Sequence, residues 1–287
     1  MHFCLNASAF TLRVKSSGDC PVWGLLIDGD ISAGAASTLA KGFVEAERRN
    51  SAVTACRLKQ IDINSKGGDV EEALAMGRMI RAKELDTRVE PTGRCLSSCV
   101  LILGAGVWRM GGLNVGIHRP YFTALDPSLS VSEIRRMREQ TIAQMKAYAT
   151  EMDFSVALID DMIAIPPEQI KMLNQDEQTK YRLNQQDANY AEKKIAEIAQ
   201  NFGLTSSEYR RRDATATRQC GNAHAFGIDD ATRLKRNRCT GQIMWNLSEA
   251  DYIARTDQTK NKCMAFRDAE DKVAFRTCHI KVMTGGN

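Results

Sequence analysis

Apolar and polar positions alternate between two periods along the first half of the chain. Short apolar runs of strand length each lead through a turn into a stretch whose apolar residues recur every three or four positions. Trp23-Gly24-Leu25-Leu26-Ile27-Asp28-Gly29 predicts a strand, and the Ala-rich stretch Ala33 to Arg49 predicts the helix after it. The unit repeats with a strand at Lys59 to Asn64, the turn Ser65-Lys66-Gly67-Gly68, and a helix at Val70 to Lys83. That helix carries Val70, Ala73, Leu74, Met76, Met79 and Ile80 on one face. Thr87-Arg88-Val89-Glu90 predicts a third strand, and the run Cys95 to Leu103, after Gly93, predicts another helix. Strands alternating with helices imply a mainly parallel sheet covered by helices, an α/β domain. Ligands of such sheets bind beyond the carboxyl ends of the strands, where both glycine turns fall.

Further on, a long amphipathic helix is expected over Val131 to Met152, capped by Ser130 or Ser132 and carrying Ile134, Met137, Ile142, Met145 and Tyr148. A shorter helix at Val156 to Ile163 is stopped by Pro166-Pro167. From about Gln185 the pattern weakens into polar, cysteine-bearing sequence, which sets expected domains at 1–185 and 186–287.

Composition changes this picture little. The 287 residues suffice for a sizeable core, and 43% hydrophobic with 26% charged residues exclude a disordered or fibrous chain. The net charge of +4 is spread among acids, so no field directs the chain to nucleic acid; Arg210-Arg211-Arg212 and Lys235-Arg236-Asn237-Arg238 read as solvated faces. The longest apolar run, Val100 to Val107, is too short to span a bilayer, and Met1 to Leu5 lacks the pattern of a signal peptide. Nine cysteines are many for a cytoplasmic enzyme. Cys220, Cys239, Cys263 and Cys278 lack zinc spacing and suggest disulfides in an oxidising compartment, with all three pairings open. The expected location is periplasmic or secreted, from a chain whose leader has been removed, with the cytoplasm as the alternative. Cys95 and Cys99 are expected to pack as small apolar residues rather than to bridge.

Three places could carry chemistry. Gly67-Gly68 lets backbone N–H groups approach a ligand, as an oxyanion site requires. Ser97 stands near the start of an apolar helix, where a developing negative charge is favoured, although serine there is also an ordinary cap. His118, in Val115-Gly116-Ile117-His118-Arg119-Pro120, can serve as the general base that takes a serine proton.

The order Asn64-Ser65-Lys66-Gly67-Gly68, Ser97-Ser98, His118-Arg119-Pro120 resembles the Asn-Ser-Pro-Gly-Gly, Ala-Ser-Met and His-Gln-Pro motifs of the Clp protease proteolytic subunit. Leu25-Leu26-Ile27-Asp28-Gly29 resembles that family's opening strand. The form Cys95-x-Ser97-x-Cys99 with Gly116-Ile117-His118-Arg119-Pro120 is closer still to exported bacterial relatives of Clp proteases. Over about residues 22–185 the resemblance implies a Clp-protease/crotonase fold of stacked strand-strand-helix units and a serine-type endopeptidase acting on peptides or unfolded protein without cofactor or metal. It implies Ser97 as nucleophile, His118 as base, and the amides of Gly68 and Ser98 as oxyanion donors, with Ser98 as rival nucleophile. It also implies a homo-oligomer joined through the helix at Val131 to Met152.

Two departures stand out. Lys66 replaces the family's proline. The triad aspartate's position, just before Lys171-Met172-Leu173-Asn174, falls on Ile170. Glu168 is the nearest carboxylate, with Asp160 and Asp161 further off, so a displaced acid, a serine–histidine dyad and a catalytically inactive binding or assembly module all stay open. A crotonase-type acyl-CoA enzyme is a third function class, disfavoured because it needs neither Ser97 nor His118 in these places.

Overall fold

The computed structural model describes residues 11–17, 22–51, 60–121, 126–221 and 228–286; Met1 to Leu5 and Lys59, on which expectations above rest, lie outside them. The chain forms two compact units, 1–190 and 191–287. The expected boundary at Gln185 falls inside the first unit because the segment after it is tied there. The Arg109 N–H donates to Gln185 O (3.1 Å), and the Asp187 N–H donates to Val107 O (2.9 Å).

The first unit is α/β. One sheet runs β1 (Thr11–Ser17), β2 (Val22–Asp28), β3 (Gln60–Asn64), β4 (Asp86–Val89) and β6 (Arg109–Met110); β1 is antiparallel to β2 and the other pairs are parallel. A second, small sheet runs β5 (Cys95–Leu96), β7 (Val115–Ile117) and β8 (Lys171–Met172), with β7 and β8 antiparallel. A parallel bridge between Ser65 and Cys95 carries the path of β3 onto β5. The helices are α1 (Ala35–Ser51), α2 (Val70–Ala82), α3 (Cys99–Ala105), α4 (Val131–Glu151), α5 (Ala157–Ala164) and α6 (Gln175–Lys180). Every residue of α3 is buried, which is why its sequence is apolar all round and shows no polar face. Leu25, Ile27, Ile61 and Ile63 from the strands meet Leu39, Phe43, Met76 and Ile80 from α1 and α2 in one core. Each such side chain contributes about 1.5–3 kcal/mol by leaving water.

One expectation shifts and one open choice is decided. The helix expected from Cys95 begins only at Cys99, because the Cys95 and Leu96 amides are taken by Asn114 O (2.8 Å) and Ser65 O (3.1 Å) and make β5 instead. Helix α4 is capped by Ser130, in a reciprocal capping box with Glu133.

Arg109 is fully buried, and five acceptors surround its five N–H groups. Its Nε donates to Gly106 O (3.1 Å), its Nη1 to Asp153 O (3.1 Å) and Arg182 O (2.9 Å), and its Nη2 to Met152 O (2.5 Å) and Asp187 Oδ2 (3.1 Å). The side chain thereby gathers the carbonyls that follow α4 and α6. Burial, reinforced by the neighbouring Arg81 charge, lowers its pKa to about 10, so it stays charged at neutral pH. Burial alone would raise the Asp187 pKa, but the Tyr190 N–H and the Arg81 and Arg109 guanidiniums hold it below the usual carboxylate value. Arg109→Met strips the side-chain donor from Asp153 O and Arg182 O, while Asp187, Met152 O and Gly106 O keep Arg81 (2.5, 2.8 and 3.3 Å), and it is expected to lower the unfolding free energy by roughly 1–3 kcal/mol for each carbonyl left bare. The shift of the denaturant midpoint measures it; a loss under about 1 kcal/mol contradicts the role assigned to Arg109.

The second unit, whose fold the sequence left open, is helical: α7 (Ala188–Gln200, entered from the first unit), α8 (Ser206–Cys220), α9 (Asp230–Trp245), α10 (Glu249–Asp268) and α11 (Lys272–Thr284). Disulfides Cys220–Cys239 and Cys263–Cys278, each with Cα atoms 5.7 Å apart, staple α8 to α9 and α10 to α11, which resolves the open pairing. The two hairpins repeat one pattern. Thr205 and Ser248 cap the first helices, and Tyr209 and Tyr252 follow at matching places. Arg212 and Arg255 then each donate to the last carbonyls of the second helix, at Met244 O and Met283 O (2.5 Å each). Both second helices end in a left-handed cap, Asn246 and Gly285. The unit buries few large side chains, and the disulfides with a cluster of Phe202, Tyr209, Trp245, Phe275 and His279 supply what a larger core would.

Candidate active site

Three segments meet at the carboxyl ends of the parallel strands. The turn after β3 is pinned on one side by the segment after β2: the Ile31 N–H donates to Gly67 O and the Asp69 N–H to Ile31 O, both 2.8 Å. On its other side stands the turn between β5 and α3. Gly67 adopts φ +91°, and a Cβ there would come within 2.8 Å of Ser97 Cβ and 3.0 Å of Ser98 N. Only glycine both accepts that backbone and leaves the gap in front of the Ser98 N–H.

Ser97 sits in the strand-to-helix turn with φ +57°, a left-handed conformation that costs an ordinary residue about 1–2 kcal/mol. Its N–H donates to Gly116 O (2.9 Å), and its carbonyl accepts from the Val100 N–H (3.1 Å). Its hydroxyl has no hydrogen bond among the described residues and faces the cleft. Ser98 differs in kind. It is 1% exposed, and its Oγ accepts from the Gly68 N–H (2.8 Å) while donating to Gly68 O (3.0 Å). Its hydroxyl is thus committed, which sets it aside as rival nucleophile. The same bonds correct the expected oxyanion pair: the Gly68 N–H is spent on Ser98 Oγ, whereas the Ser98 N–H has no protein acceptor among the described residues.

His118 follows β7 and is 8% exposed. Its Nδ1 lies 3.0 Å from Arg119 O. A carbonyl only accepts, so this bond places a proton on Nδ1. Nε2 has no hydrogen bond among the described residues, and none joins it to Ser97 Oγ. The ring is oriented by a neutral backbone acceptor in place of a carboxylate.

None of the three acids reaches His118 by a hydrogen bond. Glu168 is exposed in the turn after α5, closed by the Gln169 N–H on Pro166 O (3.0 Å), and does not line the cleft. Asp160 pairs with Lys146 (2.6 Å). Asp161 is taken by the Tyr181 hydroxyl and by Lys180 (3.1 Å), and these bonds hold its pKa below the usual value. The β7/β8 register pairs Gly116 with Met172 and Ile117 with Lys171 and ends there, and the next chain bond on this side joins the Arg119 N–H to Ile165 O (2.9 Å).

Ser97 and His118 line one cleft of about 670 Å³. Its walls are the segments Asp30 to Ala33 and Lys66 to Glu71 on one side, and His118 to Tyr121 with Arg138, Thr141 and Ile142 of α4 on the other. Sequence reasoning missed Asp30 and Arg138, which lack any motif and reach the cleft only through the fold. Asp30 Oδ1 and Arg119 Nε, an acceptor and a donor, are buried without a protein partner among the described residues. The described residues hold no group of three His, Cys, Asp or Glu placed to bind a metal ion, and no helix long and apolar enough to cross a membrane. Comparison with protein-family models and with curated proteins finds no match.

Proposed function

We propose that the first unit is a serine-type endopeptidase of the Clp-protease/crotonase fold, acting on peptides or unfolded protein. Ser97 Oγ attacks the scissile carbonyl as His118 Nε2 takes its proton, and the imidazolium then protonates the leaving amine. The acyl group on Ser97 is removed by water that His118 activates in the same way. The Ser98 N–H, which has no protein acceptor among the described residues, stabilises the oxyanion. The observation that carries this reading is Ser97 held at φ +57° in a strand-to-helix turn, sharing a cleft with a histidine whose Nδ1 is bonded to a backbone carbonyl and whose Nε2 has no partner among the described residues. The three disulfides support an exported location, and the exposed first turns of α4 support a homo-oligomer contact there.

A second reading has one observation in its favour. With a backbone carbonyl rather than a carboxylate at His118 Nδ1, the fold suits a binding or assembly module that has lost catalysis. A fluorophosphonate probe and a quenched peptide library separate the two. The peptidase reading expects labelling and cleavage that persist in a metal chelator and fall by about 10²-fold or more in His118→Ala. Absence of both in the folded wild-type protein supports the binding module.

A further inference from the structure

Cys95 and Cys99, expected to pack as free thiols, are bonded, with Cα atoms 5.2 Å apart. We propose that this disulfide is a positioning brace for the nucleophile, holding Ser97 in its left-handed conformation; the inference rests on the peptidase reading of the same site. Both anchors are fixed independently of each other. Cys95 is fully buried in β5, where it pairs with Val115 and bridges Ser65. Cys99 is the first residue of the wholly buried α3. The bond therefore closes a ring over Leu96, Ser97 and Ser98 between two immobile points, with Ser97 at its apex.

Nothing at the Ser97 side chain holds this geometry. Its hydroxyl is unbonded among the described residues, and two backbone hydrogen bonds, to Gly116 and from Val100, restrain a residue type that disfavours φ +57°. Strain of this kind persists only where the surroundings over-determine it. The disulfide is the covalent part of that surround. Its loop is also too short to act mainly on the unfolded chain. Loop-closure stabilisation grows with loop length, and the separation here is 4 residues, against 19 and 15 for the two hairpin disulfides. Its effect is therefore local, on the turn that presents the hydroxyl.

The test uses the full chain with Cys95→Ala and Cys99→Ala together, and separately Cys95→Val with Cys99→Ala, which refills the apolar volume. Three quantities are read: the thermal midpoint, amide exchange at Ser97 and Val100, and the rate of fluorophosphonate labelling far below the midpoint. The brace predicts folded variants, faster exchange at those two amides and labelling slowed at least tenfold. Labelling at the wild-type rate overturns it. Failure of both variants to fold also overturns it, since the bond is then a general requirement for folding. If the wild type is not labelled at all, the peptidase reading falls, and exchange alone decides the brace: faster exchange keeps it as a structural device, and unchanged exchange ends it.

Discussion

Replacing Ser97 by glycine is expected to abolish turnover and to make the protein more stable. Glycine removes the nucleophile and relieves the left-handed backbone at φ +57°. The relief is worth about 1–2 kcal/mol, set against about 0.5–1 kcal/mol for the freer unfolded chain, so a net gain of up to about 1.5 kcal/mol follows. Ser97→Ala keeps the strain and should leave stability unchanged while lowering peptide hydrolysis by about 10³-fold or more. Ser98→Ala should do the reverse. It leaves the Gly68 N–H and carbonyl without their partner and costs about 1–3 kcal/mol, yet retains the hydroxyl that reacts. Calorimetry and peptide turnover on the three variants read both effects. A Ser97→Gly protein that is less stable than wild type would show that the turn is not strained, and one that retains turnover would remove Ser97 from the chemistry.

Ile170→Asp is expected to raise turnover by about 10- to 100-fold. A charged acceptor at His118 Nδ1 in place of the Arg119 carbonyl strengthens that hydrogen bond by about 1.5–3 kcal/mol as the imidazolium forms. Ile170 lies one residue beyond the last β7/β8 pair, Ile117 with Lys171, and is 48% exposed, so the new carboxylate keeps part of its hydration. Ile170→Asn, of the same shape and without charge, should give no such gain. Equal rates in both variants and the wild type would show that the missing acid does not limit this site.

The sequence foreshadowed the site better than its surroundings. Gly67, Ser97 and His118 lie in short motifs whose order survives without any tertiary information, and the structure places them around one cleft. The roles of Gly68 and Ser98 could not be read, because they depend on which way one hydroxyl turns, and neighbours in sequence do not fix that. Strands β5, β6 and β8 span two residues each and carry no periodicity to detect. Arg109 carries no sequence signal of burial; its burial follows from carbonyls contributed by segments far along the chain. In the second unit the polar faces of α8 to α11 hid the hairpin repeat, whose markers are single arginines, cysteines and helix caps rather than an apolar stripe.

The most direct measurement is the site of fluorophosphonate attachment on the folded wild-type protein, read by fragmentation of the peptide that contains Ser97 and Ser98. The account predicts one adduct, on Ser97, formed more slowly in His118→Ala. An adduct on Ser98, or no adduct on a protein shown to be folded, contradicts it.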